Sequence, residues 1–131
     1  MKENLFIVGK YIELFNTLSG QRLPCAEIYQ SKGLKKHIEK RHPNEMDILS
    51  KIPLIIAAPD FVGHNPKEPD SVELVKVLGD NLMVCIKLDV SNGVLFVASA
   101  FSISSAKLNN RLNSGRLVSV KNVDKAELNN I

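Results

Sequence analysis

The chain has 131 residues, 44% of them hydrophobic and 24% charged, which suits one globular domain with a single core and leaves too little chain for two. Seventeen basic against fourteen acidic residues give a net charge of +3 and a pI near 8.9, a balance that permits nucleic-acid binding without requiring it. The apolar run Leu5 to Val8 is too short for a signal peptide, and the longest charge-free run, Val90 to Ala106, holds five serines, an asparagine and a glycine, so a secreted or membrane-spanning role is not expected and the reading is a soluble cytoplasmic chain.

In chain order, Leu5, Ile7, Val8, Ile12, Leu14 and Phe15 are spaced for a helix at Tyr11 to Leu18 rather than a strand. Cys25 and Cys85 stand singly, form no CxxC and read as reduced core thiols. Pro24 to Gln30 suits a strand, and Ser31 then caps a helix over "GLKKHIEKRHP", Gly33 to Pro43. Asn44 caps a second helix, Glu45 to Ser50, and Pro53 opens a further short turn through Ala57. With three prolines and a glycine, Pro59 to Asp70 should be mostly loop.

The period then changes. Ser71 to Leu78, Leu82 to Asp89 and Val94 to Phe101 read as three antiparallel strands, separated by the turn signals Gly79-Asp80-Asn81 and Ser91-Asn92-Gly93. Ser104 or Ser105 caps a helix carrying Leu108 and Leu112, Asn113-Ser114-Gly115 ends it, and "RLVSV" adds a last strand. Helices followed by a meander make an α+β domain, with the polar tail from Lys121 expected to be loosely held.

Drawn as a helix advancing about 100° per residue, the opening of α-helical pattern at Leu34 places His37, Arg41, Ile38 and His42 with Leu34 in one arc of about 140°. Lys35, Lys36, Glu39 and Lys40 fall outside it. That arc should face the domain, and a buried Arg41 needs a carboxylate, a carbonyl or a ligand anion. The bland alternative makes His37 and Arg41 ordinary half-buried polar residues. His42 precedes Pro43 and so should leave the helix and cap its end or point into the next loop. His37 and His42 have half of a zinc-finger spacing, but no second close ligand pair exists and the two rings splay apart, so no metal is expected.

Lys87 interrupts an apolar strand, either snorkelling to an edge or pointing into a polar cleft. Its relation to Ser99 turns on the hairpin: a two-residue turn at Asn92-Gly93 puts Ser99 opposite Ile86 and Lys87 on the other face, whereas a three-residue loop puts Lys87 and Ser99 on one face. Lys107 with Arg111 one turn later, and Arg116 after Gly115, suit phosphate contact, although such residues are commonly only solvated. His64 in the proline-rich loop could reach a site, although a loop histidine is more often merely exposed.

The pieces "SKGLKKHIEKRHP", "IPLIIAAPDFVGHNPKEPDSVELVK", "NLMVCIKLD", "LFVASAF" and "NSGRLVSV", from about Ile28 to Val120, together resemble the phage-associated nuclease domains of the class named for barnase, EndoU, the tRNA-cleaving colicins and RelE. The resemblance implies helices packed on a four-stranded antiparallel sheet, and a metal-independent ribonuclease of toxin or mobile-element type needing no cofactor. It places the motif's basic and histidine positions on Lys36, His37, Arg41 and His42, the strand lysine on Lys87 and the small hydroxyl residue on Ser99. RNA, whether tRNA or ribosome-bound, is the implied partner, with an inhibitor or immunity protein as a second.

Cleavage by 2′-hydroxyl attack needs a proton acceptor, cations for the phosphorane and an acid for the departing 5′-oxygen. On this reading His37 moves the proton, Arg41 and Lys87 carry the cationic charge, Ser99 donates to a phosphate oxygen and His42 is the reserve proton-transfer group. Lys36, Lys107, Arg111 and Arg116 would bind substrate. Five Phe, two Tyr and no Trp argue against a long base-stacking platform. The rival is a module of the same fold that binds RNA or a host protein without cutting.

Overall fold

Residues 5–121 are described by the computed structural model, and within them four α-helices pack on one mixed sheet of seven strands. The order along the chain is β1 (Leu5–Lys10), α1 (Glu13–Ser19), β2 (Glu27–Ser31), α2 (Gly33–Arg41), a 3-10 turn (Pro43–Glu45), α3 (Ile48–Ala57), β3 (Phe61–Gly63), β4 (Ser71–Leu78), β5 (Asp80–Asp89), β6 (Val94–Ile103), α4 (Ser105–Asn113) and β7 (Leu117–Ser119). The expected tail beyond Lys121 lies outside the described residues.

The α+β class stands, and the four-stranded meander is corrected to the spatial order β1-β2-β6-β5-β4-β3-β7. β4, β5 and β6 form the expected antiparallel run. β1 takes up residues expected to lead into a helix, β3 forms inside the proline-rich loop, and β7 pairs with β3 rather than with the meander. β2 joins β6 in parallel through Ile28 with Leu95 and Tyr29 with Phe96, a pairing between segments far apart in sequence that leaves no local signal.

Two faces result, because successive side chains of a strand point to opposite sides. The first buries Val72, Leu74, Val84, Ile86, Leu95 and Val97 against Phe15 and Leu18 of α1, Leu34 and Ile38 of α2, and Ile48, Ile52, Ile55 and Ile56 of α3. Pro53, expected to open a helix, lies inside α3; the lost hydrogen bond is offset by the four isoleucines the helix buries. The second face carries a smaller cluster, in which Leu108 of α4 meets Val75, Met83, Ile103 and Leu117. Ser104 caps α4 as anticipated, its hydroxyl accepting the Lys107 amide at 3.1 Å. Ser31 does not cap α2, whose N-cap position is held by Lys32 without a side-chain bond. Nor does Asn44 open an α-helix: the segment is the 3-10 turn, started by Pro43.

The β5–β6 hairpin answers the register question. Asp89 pairs with Val94 and Ile86 with Val97, so the loop has four residues, Val90 to Gly93, with Gly93 at φ 68°. A bulge at Ala98 then shifts the ladder and brings Ser99 opposite Cys85. An unbulged continuation would place Ser99 opposite Val84, on the core face; the extra residue turns it to the second face, the one that Lys87 shares.

Candidate functional site

The face of α2 expected to turn inward does so only through Leu34 and Ile38, which are 4% and 0% exposed. His37 and Arg41 are exposed, as are Lys35, Lys36 and Lys40, and among the described residues neither His37 nor Arg41 has an ion-pair partner. The reason is the short helix: with nine residues packed mainly against one strand, it needs only a narrow apolar stripe, so the polar members of the arc flank the contact.

His42 is one of two histidines that the fold anchors, His64 being the other. Pro43 stops the helix, leaving His42 at φ −140°, ψ 61° with its amide donating to the Ile38 carbonyl at 2.6 Å. Its ring is half-buried and stacks on Phe101 of β6, with centroids 5.0 Å apart and planes 17° from parallel. Nδ1 lies 3.3 Å from Glu45 Oε2, across the 3-10 turn. Glu45 Oε1 in turn accepts the Ser102 amide at 2.6 Å and the Ser102 hydroxyl. Because β2 pairs with β6 only as far as Phe96, the far half of that strand edge is open, and the Glu45 carboxylate covers one of its amides. The same carboxylate stands beside the imidazole, close enough to pair with it when the ring carries a proton.

Phe101 shares the second face with Ser99, two residues away and so about 7 Å along the strand. Here Lys87 and Ser99 line a groove of about 330 Å³ together with Glu68, Ser71, Glu73 and Cys85. Lys87 pairs with Glu68 at 3.1 Å in a contact open to solvent. Arg116 grips the buried Glu73 with both arms, Nε to Oε1 at 2.9 Å and Nη2 to Oε2 at 2.6 Å, and this hydrogen bonding raises the guanidinium pKa further. The backbone beneath is tight: a Cβ on Gly63 would meet the Arg116 carbonyl at 1.8 Å. Arg111 sends Nη1 to the Met83 sulfur at 3.3 Å, and burial lowers its pKa. Burial likewise pushes the Cys85 thiol up to about 12, with the nearby Glu73 charge acting in the same direction.

The structure thus brings together Lys87 and Ser99, with Arg116 and Arg111 alongside them through Glu73 and Met83, whereas His42 stacks on Phe101, two residues beyond Ser99 on β6 and outside the groove lining. His37, Arg41 and Lys36 lie on the exposed side of α2, and Lys107 is exposed on α4. Arg116, expected to meet phosphate, is committed to Glu73. His64 is half-buried with Nδ1 2.9 Å from the Ser71 carbonyl. Cys25, expected in the core, is exposed, and both thiols are free. Three residues escaped the sequence reading: Glu45, whose signal was a carboxylate three positions after a His-Pro pair; Glu73, a carboxylate inside the apolar run "SVELVKVL"; and Ser102, which had no signal.

No described helix is long and apolar enough to cross a membrane. Residues 6–110 match the family model described as phage-Barnase-EndoU-ColicinE5/D-RelE like nuclease3. No curated protein and no solved structure matches the chain.

Proposed function

Since this chain belongs to the phage barnase, EndoU, colicin E5/D and RelE-like nuclease family, we propose that it is a metal-independent ribonuclease whose proton-transfer group is His42. The observation that supports this most is the anchoring of His42, held by Glu45 and Phe101 at the edge of the strand that carries Ser99. A catalytic imidazole gains from a ring held in place, which the exposed His37 lacks.

The scissile phosphate sits against Ser99, whose hydroxyl donates to a non-bridging oxygen. Lys87 reaches it from one side and His42 from the other. Their places on the ladder, Lys87 and the Met83 that pairs with Phe101, are about 13 Å apart along β5, a span that the long lysine chain and the imidazole close from both ends. His42 Nε2 takes the 2′-hydroxyl proton as the 2′-oxygen attacks phosphorus. The bond to the 5′-oxygen breaks, leaving a 2′,3′-cyclic phosphate, and the departing oxygen takes a proton from the Lys87 ammonium or from water. Lys87 meets the growing negative charge once it exchanges Glu68 for phosphate, an exchange that costs little because an exposed ion pair contributes about 0–1 kcal/mol. Glu73 holds Arg116 in place rather than moving a proton, since both its oxygens are occupied.

A toxin-like or effector-like role in a phage or mobile element, acting on tRNA or ribosome-bound RNA in the cytoplasm and restrained by an inhibitor protein, belongs to the same proposal. The rival, an RNA-binding module without chemistry, draws on the pairing of Lys87 and Arg116 with carboxylates. The two separate on incubation of the purified protein with total bacterial RNA in EDTA. A ribonuclease gives fragments ending in cyclic phosphate, lost in His42→Ala; a binding module leaves RNA intact at every protein concentration.

A further inference from the structure

A second groove, of about 290 Å³, opens on the first face where β1, β2, the start of α2 and α3 meet, lined by Phe6, Gln30, Ser31, Lys32, Lys35 and Leu49. Gln30 occupies a core-facing position of β2, two residues after the fully buried Ile28 and directly opposite Phe6. It is 7% exposed, and its Oε1 is buried with no hydrogen-bond partner. Its amide nitrogen has none among the described residues. Leaving a buried amide unpaired is costly, whereas leucine would fill the same volume without penalty. Gln30 lines the groove, and a half-turn of its amide chooses whether a donor or an acceptor faces what enters.

The other walls describe the ligand. Phe6, a residue 44% exposed, lines the groove with an aromatic side chain, a surface on which a base can stack. Lys32 and Lys35 supply positive charge, and no side chain caps the first turn of α2, whose amides therefore lack a capping acceptor. Charge across the molecule points the same way. Lys32 to Arg41 holds five basic residues against Glu39 alone, while the rest of the chain has twelve basic and thirteen acidic residues. The net positive charge of the protein resides on this one helix.

We propose that this groove is a base-recognition subsite for one nucleotide of a single-stranded RNA: Phe6 stacks on the base, the Gln30 amide hydrogen-bonds its edge, and the adjoining phosphate sits between Lys32, Lys35 and the α2 amides. The proposal rests on the ribonuclease reading for the identity of its ligand. α2 is about 13 Å long, so Lys36, Lys40 and Arg41 carry the strand from this subsite to His42 over roughly four stacked nucleotides, fewer if the strand is extended. The subsite therefore selects sequence a few nucleotides from the bond that is cut.

The test uses His42→Ala protein and four five-nucleotide RNAs that differ in one base, with affinity read by fluorescence anisotropy. The expected result is a preference of about tenfold or more for one base, abolished by Gln30→Leu while the melting temperature holds or rises. Lys32→Ala with Lys35→Ala should weaken all four RNAs alike and make binding less dependent on salt. Equal affinity for the four RNAs, or a preference that survives Gln30→Leu, overturns the subsite. Failure of the ribonuclease reading looks different: the base preference and its loss in Gln30→Leu are present, yet the wild-type protein cuts no RNA. Conversely, cleavage whose sequence pattern is the same in wild type and Gln30→Leu leaves the enzyme and removes the subsite.

Discussion

The outer face of α2 and the second face of the sheet carry the same kinds of side chain under opposite constraints. On α2, His37, Arg41 and the lysines stand in solvent without a described ion-pair partner. On the sheet, Lys87 and Arg116 each have a carboxylate partner, Arg111 lies against Met83, and His42 is clamped between Glu45 and Phe101. Loose cations attract a polyanion from any direction and hold it in many poses. Anchored groups act on one atom. On the proposed ribonuclease reading, α2 attracts and guides the strand, and bond breaking belongs to His42 and the Lys87 groove.

Substitutions can break that division. Lys87→Ala should lower kcat by about 10²–10³, the scale of losing one preorganised charge donor, whereas Lys36→Ala or Arg41→Ala should change kcat little and raise KM a fewfold, less at higher salt, where the cations are screened. Steady-state kinetics on a labelled oligonucleotide would separate the two; equal loss of kcat in both sets would erase the distinction.

Next in size is Glu73→Gln. It leaves Arg116 partly buried opposite a neutral amide, and urea unfolding should show a loss of about 3 kcal/mol. An unchanged midpoint would mean that the guanidinium is held by something other than the pair described here.

Glu45 joins the two regions, and its variants sharpen the comparison. Glu45→Ala should cost about 1–2 kcal/mol by uncovering the Ser102 amide and slow cleavage about tenfold by releasing the His42 ring. Glu45→Gln keeps an acceptor for the amide, so it should recover most of the stability without recovering the rate. Recovery of both would reduce Glu45 to an edge cover.

The smallest effect is alkaline. Burial raises the Cys85 thiol to about 12 and the Tyr11 hydroxyl above its ordinary range. Each group loses its proton more readily in the unfolded chain. Stability is therefore complete below about pH 9 and falls as pH rises beyond it, by on the order of 1 kcal/mol at pH 10 from Cys85. Comparing urea midpoints at pH 8 and pH 10, Cys85→Ser should show the smaller drop.

The legible part of the fold was local. Alternating apolar residues gave β4, β5 and β6 within a few residues, and Ser104 marked the start of α4, because these elements follow from neighbours in sequence. The parallel β2–β6 pairing and the three-residue strands β3 and β7 depend on distant partners. The site was legible by residue type and less so by placement. Lys87 stands out as a charge in an apolar strand, and Glu73 in "SVELVKVL" meets the same criterion. A helical projection put His37 and Arg41 inside because it treats the whole arc as buried, whereas a nine-residue helix beside a strand buries two side chains. The bulge at Ala98, which turns Ser99 to the Lys87 face, has no composition of its own.

The central claim is that the anchored His42, and not the exposed His37, transfers the proton. It is tested most directly by comparing wild type, His37→Ala and His42→Ala on one 5′-labelled RNA in EDTA, with single-turnover rates and product ends identified. The account predicts cyclic phosphate ends, a His37→Ala rate within about threefold of wild type, and a His42→Ala rate lower by about 10²–10⁴. Near wild-type cleavage by His42→Ala, or a collapse confined to His37→Ala, would contradict it.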